Sequence, residues 1–61
     1  DKGDHDGAIA DYDRAIELDS KFADAYYDRA LAKKAKGDQE GASADFNKAH
    51  ALNPKLGAAG K

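Results

Sequence analysis

The stretch ADAYYDRALAKKAKGDQEGASADFNKAHALNPKL, Ala23 to Leu56, decides how this chain is read. It opens with Ala25-Tyr26-Tyr27, carries Ala30, turns at Gly37-Asp38, continues through Ala42, Phe46 and Ala49, and ends at Leu52-Asn53-Pro54. Sliding the chain by 34 residues lays Gly3-Asp4 on Gly37-Asp38, Ala8 on Ala42, Tyr12 on Phe46, Ala15 on Ala49 and Leu18 on Leu52. Self-similarity at that period marks a helical repeat array, whose units bury their apolar faces only against their neighbours. The first third matches only the second helix of such a unit. The chain therefore reads as a natural or engineered piece of an array, with apolar surface at its open ends.

Working outward, the spacing predicts three helices, near residues 4–18, 21–36 and 38–52. Asp4 and Asp38 read as N-caps, because a carboxylate accepts the free N–H groups of a first helical turn. Asp6 and Glu40 add negative charge at the positive end of the helix dipole. In the first helix Ala8, Ile9, Tyr12, Ala15 and Ile16 form one apolar stripe, with Asp11 and Arg14 as a weak pair on the polar side. Gly7 and Gly41 hold equivalent places and suggest a close approach between helices. Asp19-Ser20 aligns with Asn53-Pro54 as a helix start, and Phe22 and Leu56 are expected to plug the seam between units. The second helix is expected to bury Ala23, Tyr26, Ala30 and Leu31, with Asp24 and Asp28 early and Lys33, Lys34 and Lys36 late, as the dipole favours. Gly37 supplies the positive-φ residue that ends it. In the third, Ala42, Phe46, Ala49 and Leu52 make the buried stripe, the alanines allowing close helix contact.

In register, these features resemble the tetratricopeptide repeat (TPR), a 34-residue helix–turn–helix unit. Its aromatic, small residue, turn glycine, Ala–aromatic–Ala ladder and closing proline match Tyr26, Ala30, Gly37, Ala42, Phe46, Ala49 and Pro54. Two positions depart: Arg29 stands where the family usually has Leu, and Lys33 where it usually has Tyr. Looser packing is expected at Lys33, with its stem lying across its neighbour and its amine in water. The resemblance implies an all-α fragment of an αα superhelix. Residues 1–22 would be the second helix of a partial repeat plus its turn, 23–56 a complete repeat, and 57–61 a truncated tail.

The resemblance also implies a protein–protein interaction scaffold, because stacked repeats curve into a groove lined by first helices. Carried onto this chain, the groove residues are Asp24, Tyr27, Asp28, Leu31 and Lys34, three or four apart on one helix face. Tyr27 would be the anchor, since aromatics dominate hot spots. One branch of the family grips chaperone C-terminal carboxylates with Lys, Asn and Arg. Asp24 and Asp28 occupy matching places here, so a neutral or basic peptide fits better. The alternative reading is a self-associating unit, a homo-oligomer formed through the exposed repeat ends with no separate ligand.

Composition narrows the remaining classes. The chain has 61 residues, a net charge of −2 and no Cys, so a disulfide framework is excluded. A single core this small rarely supplies more than about 3–5 kcal/mol. No apolar run reaches the roughly 20 residues that span a bilayer, so no membrane partner is expected, and Asp1-Lys2-Gly3-Asp4 does not read as a signal peptide. The slight acidity, with Asp24 and Asp28 flanking Tyr26 and Tyr27, argues against nucleic acid. Asp4-His5-Asp6-Gly7 fails the EF-hand pattern, which would put Lys2 first and Asp13 last. His5 and His50 lack the second ligand that zinc requires. Ser43 and His50 share a face without an acidic orienter, and Gly37 to Gly41 lacks the Lys-Ser/Thr ending of a phosphate loop. No catalytic residue, metal or cofactor is expected, and the chain is read as no enzyme.

Overall fold

The computed structural model describes residues 4–56. They form α1 (His5–Leu18), α2 (Ala23–Lys36) and α3 (Gln39–Leu52) in an all-α arrangement. The expected tail, 57–61, lies outside the described residues. Capping chemistry sets two of the helix starts. The Gly7 amide donates to Asp4 Oδ1 and the Gly41 amide to Asp38 Oδ1, both at 2.9 Å. Such a cap stabilises a helix by about 1 kcal/mol. The glycines serve these caps and not, as the sequence suggested, a close helix approach. A Cβ at Gly7 or Gly41 would meet the Cγ of its own capping aspartate at 2.8 Å.

The α2–α3 turn is closed by Gly37, whose φ of 96° is left-handed. The Asp38 amide reaches back to the Lys33 carbonyl at 2.8 Å, and the Gly37 amide to the Lys34 carbonyl at 3.0 Å. This is the paired bonding of a Schellman motif, which satisfies the last free carbonyls of α2. Asp38 then caps α3, so two residues reverse the chain and leave the helices antiparallel.

The α1–α2 connection differs from expectation. Asp19 does not cap α2. Its Oδ1 accepts from the Lys21 amide at 3.1 Å and closes a turn, and Phe22 precedes a helix that has no side-chain cap. Asn53 does the same with Lys55 at 3.2 Å. An Asx side chain bonding two residues ahead competes with the capping role; α2 begins at Ala23.

Helix α2 lies in the middle and packs against both α1 and α3, which do not pack on each other. Its buried arc is therefore wide, formed by Ala25, Ala30 and Ala32. Ala42 and Ala49 of α3 complete an alanine seam in which no large side chain is fully buried. Leu31, expected inside, is 46 % exposed, because it sits on the side of α2 away from both neighbours. Ala23 and Tyr26 are half-buried. Phe46 and Leu52 of the α3 stripe are half-buried too, the Phe46 ring meeting Tyr27 edge-on with centroids 5.3 Å apart. Phe22 is no tight plug: it remains exposed while Leu56 is half-buried. Each buried methyl contributes on the order of 0.8 kcal/mol, so the seam alone is a weak core.

Candidate functional site

The polar interactions converge on one guanidinium. Arg29, near the middle of α2, donates through Nε to Asp45 Oδ2 and through Nη2 to Asp45 Oδ1, both at 2.8 Å. Its Nη1 donates to Asp13 Oδ1 at 2.6 Å. The fork thus takes one carboxylate of α3 in both hands and one of α1 in passing, tying three helices through a single side chain. The Arg29 Cζ also lies 5.4 Å from the Tyr26 ring centroid, within cation–π range. Lys33, one turn on, places Nζ 3.0 Å from Asp45 Oδ2. Its amine is therefore held by a buried carboxylate, which corrects the expectation of loose packing with the amine in water.

Asp45 is the buried charged residue among the described residues, 5 % exposed. Burial pushes its carboxyl up, but the hydrogen bonds from Arg29 and Lys33 together outweigh this and hold it below the usual carboxylate range. The hydrogen bonds that Arg29 donates to Asp45, opposed by desolvation, keep the guanidinium firmly protonated. At the other end of the α1–α2 seam, Lys36 Nζ meets Asp6 Oδ1 at 2.5 Å. That hydrogen bond raises Lys36 and lowers Asp6, both in open solvent. The expected Asp11–Arg14 pair does not form; the acids of α1 that find partners, Asp6 and Asp13, reach across to α2.

A pH dependence follows. Asp45 is ionised at a lower pH folded than unfolded, so its contribution is complete above the unfolded value of about 3.9 and is lost as pH falls through the lower folded value. Helicity followed by circular dichroism is expected to hold steady from pH 7 to about 5 and to collapse below about pH 4. A chain equally helical at pH 2 would show that the node contributes nothing.

The five residues expected to line a groove all lie on α2. Asp24, Asp28, Leu31 and Lys34 are exposed, and Tyr27 is half-buried against Phe46. The face is an apolar residue among charges, with its aromatic already held by an intramolecular partner. Among the described residues there is no enclosed cavity, and no three His, Cys, Asp or Glu side chains gather as a metal site would need.

A family model described as "TPR repeat" matches residues 1–37, and one described as "Tetratricopeptide repeat" matches residues 23–56. The chain belongs to the tetratricopeptide repeat family. No curated protein and no solved structure gives a significant match. TPR units are in general protein–protein interaction modules and typically non-catalytic scaffolds. Within this TPR, both departures from the usual pattern, Arg29 and Lys33, turn toward the same carboxylate. Sequence reading missed Asp45. The available signal was two cations four residues apart at positions that usually pack, facing an acid set between Ala42 and Ala49.

Proposed function

We propose that this TPR segment binds an extended peptide or partner helix along the outer face of α2, with Leu31 and Tyr27 as apolar contacts and Asp24, Asp28 and Lys34 setting charge preference. The observation that carries the reading is Leu31, a large apolar side chain left 46 % exposed at the centre of a face whose spacing aligns all five residues. Tyr27 supports it: its edge-on contact with Phe46 holds the ring in place before a ligand arrives, and an ordered aromatic loses less freedom on binding. The two carboxylates at the start of the helix repel an acidic tail and suit a neutral or basic one.

Selection from a displayed random-peptide library tests this. Enriched sequences are expected to be neutral or basic with one apolar anchor. Leu31→Ala, at a position outside the core, is expected to weaken them by roughly tenfold, as loss of a hot-spot contact does. Acidic enriched peptides, or affinities unchanged in Leu31→Ala, would overturn the reading.

A further inference from the structure

The charged residues of α2 divide by partner. Arg29, Lys33 and Lys36 are each held by a carboxylate of another helix. Asp24, Asp28 and Lys34 are exposed and have no hydrogen-bond or ion-pair partner among the described residues. The helix does not pair them internally either. Opposite charges support a helix when three or four residues apart. Here the two acids are themselves four apart, and Lys34 stands six beyond Asp28 with Leu31 midway. The helix dipole favours an acid in the first turn, which holds Asp24 but not Asp28. The layout thus adds little to the helix itself. It leaves a negative end, an apolar centre and a positive end along one exposed face.

We infer, resting on the groove reading above, that this face takes an extended segment in which a basic and an acidic side chain flank an apolar one at every second residue. The basic group meets Asp24 and Asp28, the apolar one Leu31 and Tyr27, and the acidic one Lys34. The spacing supports this register. The midpoint of the two acids lies about 7–8 Å before Leu31 along the axis, and Lys34 about 4.5 Å beyond it with a long stem to extend its reach. Side chains on one face of an extended chain are about 6–7 Å apart. A partner helix is a poorer occupant, because it lays a stripe of apolar anchors into an apolar groove. Leu31 is the one large apolar side chain of α2 that is exposed.

The probes are capped peptides centred on Lys-Thr-Leu-Thr-Glu, whose threonines favour an extended chain, titrated into the full chain and followed by nuclear magnetic resonance. Charge fixes which group goes where and not the strand direction, so the reverse sequence is titrated as well. The better of the two is expected to bind about fivefold more tightly at low salt than Lys-Thr-Leu-Thr-Lys or Glu-Thr-Leu-Thr-Glu, as an exposed ion pair exchanged for a repulsion allows. At about 1 M salt, where charges are screened beyond about 3 Å, the difference is expected to vanish. Lys34→Glu, at an exposed position without a partner among the described residues, is expected to keep the fold and to make the doubly basic peptide the tightest. Asp24→Asn with Asp28→Asn, which keeps the side-chain shapes, is expected to erase the preference for the mixed peptide over the doubly acidic one. Affinities that follow the peptide's net charge alone, an order unchanged in Lys34→Glu, or no saturable binding at millimolar peptide overturns the inference. The groove reading is decided separately by Leu31→Ala, which removes the apolar contact and leaves all three charges in place.

Discussion

Asp45→Ala is expected to abolish the cooperative thermal transition of this chain. The carboxylate is 5 % exposed, accepts from Arg29 at two points and forms an ion pair with Lys33 at 3.0 Å. Its removal leaves two positive side chains close together at a part-buried seam, with Asp13 as the one remaining partner among the described residues. Breaking a buried pair from one side costs about 3–5 kcal/mol, mostly through the charge left unmatched. That matches the most that a core this small usually supplies, about 3–5 kcal/mol. An alanine seam with no fully buried large side chain has little to offset it. Urea and thermal unfolding followed at 222 nm check this. A cooperative melt within about 1 kcal/mol of the parent would show that solvent reaches the site and screens it, as at a surface pair.

The three helices were legible because their signals are local. Asp4 and Asp38 cap from three residues away, and Gly37 ends α2 through its own backbone angle. The misread positions depend on what lies across a gap. Leu31 falls on a plausible helical stripe, but which stripe is buried depends on how many neighbours α2 has and on which sides. Asp19 and Asn53 offered two local uses of one side chain, and the turn took precedence over the cap. The node was the least legible, since Arg29 and Asp45 are 16 residues apart and meet only after α2 and α3 are paired. The five residues of the α2 face could be placed on one side from spacing alone. Their ligand could not be read, because one exposed leucine among mixed charges defines a preference and not a partner.

Replacing the whole node restores what Asp45→Ala removes. In the triple variant Arg29→Leu, Lys33→Tyr, Asp45→Ala, the two α2 positions take the residues usual in the TPR pattern, and no charge remains to be matched at the seam. Buried ion networks exchanged for packed apolar groups of similar volume are often neutral or stabilising by about 1–4 kcal/mol, since the desolvation cost disappears with the charges. Asp13 loses its partner, but its side chain is 55 % exposed and water solvates it at little cost. The variant is therefore expected to melt cooperatively at or above the parent's temperature. Its helicity should also lose the collapse below about pH 4, because Asp45, the carboxylate whose protonation drives that collapse, is gone. These readouts separate two roles of the node. A stable, acid-insensitive variant means that Arg29 and Lys33 are tolerated in the seam only because Asp45 neutralises them. A variant as unfolded as Asp45→Ala means that the guanidinium fork, which holds α1 and α3 to α2 at once, sets an alignment of the three helices that apolar packing cannot replace.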